Sequence, residues 1–572
     1  MKFRLKTYIP LLAIIIMAAA LRLYGINWDS GFHFHPDERM LIMVTERIHF
    51  WTHFNPDFFN YGSLPVYLLR AVSQLIDLIF RTHITNYDGM LYVGRVLSSL
   101  ADLGVVFLIF HISFSIFKNK IVALWSSFFY AVAFFPIQNS HFFIVDTFLN
   151  LFSTLLIYLL LRFHQQPSNR ILIMIGITFA AAITSKISAI IFLPIILFVF
   201  FLSQLKKTHR NVTRSTLHVI RMTFFFSVCS LAFAILFMPY AFIEHERFFN
   251  DVLQQIRMNA DAYIFPYTLQ YVGTTPYIYY LKNIFLWGVG PVISIFAVVG
   301  GVCSIWYVVC IIYLNKKEKF TFPDTLFHTL HSKYFLFSIF YFLYFLVIGK
   351  SAVKFMRYML LVYPFITILA GYGADRITQI AKRNTFSKGI SRYTIHVTRY
   401  MIVLITFLWT LPFLMIYSTP NTRIQATQWI NQFIPYGSTL AVEHWDDRVP
   451  IFDSGNYQYE ELTLYELPDD QNKITDQYHK LQRSDYIIIA SNRLYTPLQR
   501  LNDCAVFEKC YPLTAQYYQD LFDGKLGFVK IAEFTSYPAL HAAGYVLRIV
   551  DDSADESFTV YDHPKVMIFK KI

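Results

Sequence analysis

Apolar runs of bilayer length recur along the chain with short polar connections between them. They fall near residues 8–24, 91–117, 121–135, 142–161, 171–184, 187–205, 222–240, 284–314, 334–348, 355–373 and 400–417. Runs of about 20 apolar residues match the hydrocarbon thickness of a bilayer, and there each backbone amide must find its partner within its own segment, so the runs predict helices. The pattern gives a polytopic α-helical membrane protein with about eleven transmembrane helices.

Beyond residue 417 the long apolar runs stop. The remainder mixes helix-like segments at 425–433 and 473–481 with strand-like ones at 438–443, 485–490 and 565–569, the signature of a small α/β unit. Two domains are expected: 1–417, transmembrane, with long loops at 25–90 and 241–283, and 418–572, soluble.

Charge orients the spans. Lys2, Arg4 and Lys6 precede the first run, and alternate connections hold Lys118/Lys120, Arg162/Arg170, Lys206/Lys207/Arg210/Arg214, Lys316/Lys317/Lys319/Lys333 and Lys382/Arg383/Lys388/Arg392. By the positive-inside rule the N-terminus and these connections are cytoplasmic, which places both long loops and 418–572 outside. Leu64–Phe80 is apolar enough to pass for a further span, but counting it would reverse every later basic loop. It carries Arg70 and Asp77, with Val66, Leu69, Val72, Leu75, Ile76 and Ile79 at helical spacing, and is read as an amphipathic helix in the interface. The first run lacks a small-residue cleavage site and continues into Leu21-Arg22-Leu23-Tyr24, which marks it as an uncleaved anchor.

Composition agrees with this class: 55% hydrophobic and 18% aromatic residues with a mean hydropathy of +0.43. The net charge of +12 sits mostly in the cytoplasmic connections, so it reports topology and contact with anionic lipid rather than nucleic acid. No Gly-rich phosphate loop is present. Of the five cysteines, Cys229, Cys303 and Cys310 fall in spans, while Cys504 and Cys510 lie close together outside, where a disulfide is expected.

Candidate chemistry begins at His35-Pro36-Asp37-Glu38-Arg39. Pro36 suits the first turn of a helix, and two acids there are favoured by the helix dipole, so taken alone the pair is a solvated helix start. Isolated charges elsewhere change that reading. Arg95, Asp146, Lys186, Lys350, Lys354 and Arg357 sit inside or at the ends of apolar spans, where a charge is costly unless it faces a polar cavity. In the second long loop, Gln270 and the neighbouring tyrosines suit stacking on a sugar, and an aromatic belt at the interface explains them equally well. Glu443-His444-Trp445-Asp446-Asp447-Arg448 is read as a polar cluster at a strand end. His33 and His35 are read as loop residues; with Asp37, Glu38 and Asp146 they could ligate a divalent cation, but no H-E-x-x-H or close Asp-x-Asp spacing is present, so no cofactor is assigned and a divalent metal stays open.

The segments Arg22 to Asp37-Glu38, Asn60-Tyr61-Gly62-Ser63-Leu64-Pro65-Val66-Tyr67, Gly94-Arg95-Val96, Val145-Asp146, Ser185-Lys186 and Lys354-Phe355-Met356-Arg357-Tyr358, in this order and placement, resemble glycosyltransferase family 39. That family contains the protein O-mannosyltransferases and is related to the lipid A aminoarabinose transferases, within the type C superfamily. The resemblance extends over roughly the first 420 residues. It implies a sugar donor linked to a polyprenyl phosphate, used outside the cytoplasm, with a lipid, glycan or protein acceptor. It makes Asp37 the general base, Glu38 its acidic neighbour and Asp146 a second catalytic acid. Arg95, Lys186, Lys354 and Arg357 become ligands of the donor phosphate, and Tyr61 and Gln270 contacts of acceptor or sugar.

The chemistry is consistent with these roles. A hydroxyl nucleophile needs a carboxylate to take its proton, a single displacement inverts the anomeric carbon, and fixed cations stabilise the departing phosphate. Two other readings stay open: a transporter or flippase of lipid-linked sugars, which also buries charges among many helices, and a polymerase or ligase of the same superfamily.

Overall fold

The structure, a computed structural model, describes residues 8–205, 212–317, 332–385, 391–542 and 544–572. The basic residues Lys2, Arg4, Lys6, Lys206, Lys207, Arg210, Lys319 and Lys388 lie outside this set. The first third of the chain forms α1 (Tyr8–Leu23), α2 (Pro36–Arg47), α3 (Leu64–Phe80), α4 (Tyr87–Phe117), α5 (Lys120–Val132), α6 (Phe134–Ser140), α7 (Val145–Gln165) and α8 (Asn169–Ser185). Among the described residues six helices are long and apolar enough to cross a membrane, and α5 with α6, bent by 56°, counts as a seventh if taken as one span. Four shorter apolar helices, α1, α8, Gly290–Trp306 and Lys333–Ile348, fall on four more of the eleven expected runs. The chain is a multi-pass membrane protein.

The bend between α5 and α6 has a local cause. Pro136 lacks an amide, so the carbonyl of Val132 loses its helical partner, and Ala133 turns to an extended conformation. The freed oxygens are met by side chains: Thr410 Oγ1 donates to Val132 at 2.8 Å, and the buried Arg22 guanidinium donates to Ala131 at 2.9 Å. Arg22 is in turn neutralised by Asp102, its Nε 2.6 Å from Oδ2.

Helix α3 takes the expected bounds but not the expected single face. Its first half buries Val66, Tyr67, Leu69 and Arg70 against the protein, whereas Leu75, Leu78, Ile79 and Phe80 project outward. Asp77 ends the helix by accepting the backbone amides of Ile84 and Thr85 at 2.7 and 3.0 Å.

After residue 418 the chain builds β1 (Thr439–Glu443), β2 (Gln458–Leu462), β3 (Tyr486–Ile489), β4 (Phe528–Phe534), β5 (Ala539–Ala542), β6 (Tyr545–Arg548) and β7 (Val566–Lys571). Five strands form one sheet in the order β2-β1-β3-β7-β4, with β1 parallel to β2 and β3, and β7 antiparallel to its neighbours. β5 and β6 form a separate ribbon. Cys504 and Cys510 are joined by a disulfide. This region is not detached from the bundle: Phe558, Val560 and Tyr561 belong to the same buried cluster as the membrane helices, and Gln138 of α6 donates to the Phe558 carbonyl at 2.7 Å.

Glu443, at the end of β1, is buried with the Tyr518 hydroxyl donating to it, and burial pushes its carboxyl up to about 8 from 4.5. The folded chain therefore keeps a proton that the unfolded chain has lost, and stability falls as pH rises from about 4.5 to about 8, then levels off. Glu443→Gln flattens this slope. Thermal unfolding in detergent across that pH range, wild type against variant, measures it.

Candidate active site

Successive helical residues point about 100° apart, so the two acids at the start of α2 cannot share a direction. His35 caps the helix, its Nδ1 accepting the Glu38 amide at 3.4 Å. Burial and the charges of Arg357 and Arg95 push its imidazole well below its usual range, in keeping with that acceptor role. Glu38 turns inward and Asp37 outward.

Inward, Glu38 meets Arg95 of α4. All five guanidinium donors of Arg95 are used: Nε and Nη2 to Glu38 at 3.0 and 2.7 Å, Nη1 and Nη2 to Asp29 at 3.0 and 2.7 Å, and Nη1 to the Ile26 carbonyl at 2.7 Å. Glu38 also accepts the amide of Phe143 at 2.7 Å. All three side chains are fully buried. One guanidinium serves two carboxylates: burial pushes Asp29 up, yet Arg95 and the Gly31 amide hold it below its usual range, while burial leaves Glu38 above its own. Arg95 has no donor left for a phosphate and Glu38 does not face the cavity. The structure thus brings neither residue onto the cavity wall, because the two saturate each other.

Outward, Asp37 lies on a cavity of about 550 Å³ that is also lined by Tyr61, Arg357 and Tyr358. Its Oδ2 is 2.5 Å from Arg357 Nη1, both side chains mostly buried. A second ion pair stands behind: Lys186, at the end of α8, donates to Asp146, in the first turn of α7, at 2.7 Å. Lys186 Nζ lies 4.4 Å from the centre of the Tyr358 ring and 6.0 Å from that of Tyr61. The loop that carries Tyr61 reaches this point because Gly62 lacks a side chain: its amide donates to the Ser185 carbonyl at 3.1 Å, and a Cβ there would stand 1.9 Å from the Thr184 oxygen.

Two expected residues are placed elsewhere. Lys354 is buried off the cavity, its Nζ donating to the Ala352 carbonyl at 3.0 Å, and burial pulls its ammonium down. Gln270 is occupied on both ends of its amide, Nε2 donating to Glu556 at 2.8 Å and Oε1 accepting the Glu556 amide at 3.0 Å. It fastens the second long loop to the C-terminal region rather than facing a sugar. Among the described residues no three His, Cys, Asp or Glu side chains are arranged to hold a metal ion.

The C-terminal region supplies a wall that sequence reading missed. Trp445, Asp447, Arg493, Glu556 and Tyr561 line the same cavity. Asp446 fits the expected strand-end cluster, held by Arg423 at 2.9 Å and by Ser491, but Asp447 reaches across to Arg39 of α2 at 3.5 Å. Arg493 is paired with Glu556 at 2.7 Å.

Residues 81–238 match the family described as dolichyl-phosphate-mannose-protein mannosyltransferase. No curated protein sequence matches the chain. Among solved structures it is similar to the Archaeoglobus fulgidus oligosaccharyltransferase in the apo form, at 13% identity and a TM-score of 0.51, covering 89% of this chain and 72% of that one. Lower likenesses are to ArnT from Cupriavidus metallidurans bound to undecaprenyl phosphate, at 12% identity and TM-score 0.44, covering 86% and 94% of the two chains. A further one is the S. cerevisiae protein O-mannosyltransferase Pmt1-Pmt2 complex bound to the sugar donor, at 17% identity and TM-score 0.34, covering 43% and 35%. Fold and site together define a multi-pass membrane protein that shares the fold of the Archaeoglobus fulgidus structure. The resemblance to glycosyltransferase family 39 is borne out over residues 81–238, the stretch that holds Arg95, Asp146 and Lys186.

Removing one partner from the buried triad leaves the others uncompensated, a loss of about 3–5 kcal/mol. Glu38→Ala is expected to lower the unfolding temperature sharply, and Asp37→Asn, whose arginine partner keeps access to the cavity and an amide oxygen to bond, to lower it by much less. Differential scanning fluorimetry in detergent separates the two.

Proposed function

We propose that this protein transfers a sugar from a polyprenyl-phosphate-linked donor to an acceptor hydroxyl on the extracytoplasmic face, with inversion, and that residues 1–417 carry the reaction while 418–572 close the cavity over it. The observation that carries this reading is the Asp37–Arg357 pair, 2.5 Å apart on the wall of a cavity of about 550 Å³. The match of residues 81–238 to a dolichyl-phosphate-mannose family supports the donor class.

Asp37 takes the proton of the acceptor hydroxyl as its oxygen attacks the anomeric carbon from the side opposite the phosphate, and the bond from that carbon to the phosphate oxygen breaks, releasing the polyprenyl phosphate. Arg357 leaves Asp37 for the incoming phosphate and stabilises the negative charge that grows as the sugar departs, with Lys186 as the second cation of the site. Asp146 holds Lys186 in place, and the faces of Tyr61 and Tyr358 position the sugar ring. The donor chain needs an apolar path. A cleft of about 600 Å³ between the helices Gly290–Lys317, Lys333–Ile348 and Tyr363–Thr385 offers one, lined by Val298, Phe342, Val362 and other apolar side chains.

Asp37→Asn is expected to lower transfer by about 10²–10⁴-fold while the donor still binds. Transfer from radiolabelled polyprenyl-phosphate sugars by protein in liposomes, beside a filter assay for donor binding, measures both. Movement of the intact lipid-linked sugar across the bilayer without cleavage would instead establish a transporter.

Val298→Trp fills the apolar cleft, so KM should rise for a long-chain donor and stay unchanged for a short-chain analogue. The same transfer assay run with both donors reads this.

A further inference from the structure

The ribbon β5–β6 stands apart from the main sheet. Two strands alone are marginally stable in water, yet β6 is exposed on both faces, with Tyr545, Val546 and Leu547 at 82, 51 and 48%. Register places Leu540 opposite Leu547, and His541 opposite Val546. Since side chains alternate across a ribbon, Leu540, Tyr545 and Leu547 share one face while His541, Val546 and Arg548 share the other. The result is a two-sided strip with one wholly apolar face and a mixed one that carries Arg548 at its end.

Its position says what meets it. β5 packs against the helix Ser391–Leu414 and the turn Met415–Ser418 that follows, and the Thr419 and Ser536 hydroxyls lie 3.3 Å apart. That helix passes through the membrane, and its free side shows Tyr400, Met401, Leu404, Ile405 and Leu408. Since β5 touches both this helix and the turn at its C-terminal end, the ribbon stands where the membrane span ends, and Ile549, just after β6, packs on the core of the bundle. Tyr417 in the adjoining turn packs on Gly25, so the ribbon stands at the Asp37 end of the bundle.

We propose that β5–β6 is a membrane foot: it lies in the bilayer interface at the Asp37 end, with Tyr545 and Leu547 among the upper acyl chains and Arg548 at the lipid phosphates. Tyr at the headgroup boundary and a cation reaching to the phosphates are the residues this position favours. A bilayer rather than a protein partner is the occupant, because the ribbon is packed on the end of a spanning helix, at the level where that helix leaves the membrane. The foot also has a purpose in the fold. Glu556 and Tyr561, which line the cavity, follow shortly after Arg548 in the chain. Fixing the ribbon on the bilayer fixes the wall they form.

The test uses full-length protein with Cys229, Cys303 and Cys310 changed to Ser and the Cys504–Cys510 disulfide kept. A fluorophore is attached at Tyr545→Cys or, as a control, at Asp476→Cys on the exposed side of the helix Gln471–Arg483, and the protein is placed in phosphatidylethanolamine and phosphatidylglycerol liposomes. Nitroxide lipids labelled near the headgroup should quench the probe at 545 and not at 476, while aqueous iodide should do the reverse. Iodide quenching of 545 equal to that of 476 would overturn the proposal. So would protection of 545 from both quenchers with energy transfer between labelled copies, which would make the ribbon a contact between two molecules of this chain.

Discussion

A single guanidinium shared by two carboxylates holds the reactive end of this protein together. Arg95 reaches from the second long helix to Asp29 in the first loop and to Glu38 in α2, and Glu38 passes the link on to the backbone of Phe143 at the turn before α7. Four separate pieces of chain converge on one buried point. Because the guanidinium is spent in full, α2 has only one rotation about its axis that satisfies it. That rotation turns Asp37, one residue earlier, about 100° away from Glu38 and onto the cavity. The acid that faces the cavity is thus aimed by an acid that never sees it.

The C-terminal region completes the site by the same means. The segment from Asp555 to His563 enters the end of the bundle with Phe558 packed among Phe134, Phe135 and Phe413. Asp562 accepts from Gln138 and from Tyr417, both at 2.9 Å. His563 lies between Asp562 and Asp551; burial opposes its charge, but the two carboxylates push the imidazole up to about 10. An imidazolium is thereby the counter-ion for two buried acids at the seam. The boundary near residue 417, sharp in hydropathy, is a continuous core in space.

What the sequence made legible follows from which forces are local. The spans and the cytoplasmic connections rest on hydropathy and charge along the chain, and α3 emerged with the bounds its periodicity gave. The parallel central strands β1 and β3, continuous apolar runs buried on both faces, could be seen. β2, with Glu460 and Glu461 at the sheet edge, and β4, largely exposed, carry no such run and were missed. At the site, Asp37 and Arg357 were picked out by their placement near the ends of apolar spans and Tyr61 by the resemblance, and the three line one cavity. Arg95 has the same sequence signature as Arg357, a lone cation in an apolar helix. Its two partners, far off in sequence, decide that it is structural, and nothing along the chain records that. Gln270, Arg493, Glu556 and Tyr561 likewise depend on contacts between segments hundreds of residues apart.

The two arginines then divide the work by how completely each is bound. Arg95 has every donor engaged, so releasing it would cost the fold. Arg357 has one carboxylate at 2.5 Å, on a cavity wall with part of both side chains still accessible. A phosphate carries more charge and more acceptor oxygens than a carboxylate, so it can draw this guanidinium away. Under the proposed reaction that exchange has a direction. While Arg357 rests on Asp37, a carboxylate oxygen is occupied by the guanidinium; once a donor phosphate takes that guanidinium, the oxygen is free to accept the proton of the acceptor hydroxyl. The base becomes competent only when the donor is present, which ties proton removal from the acceptor to the arrival of the lipid phosphate.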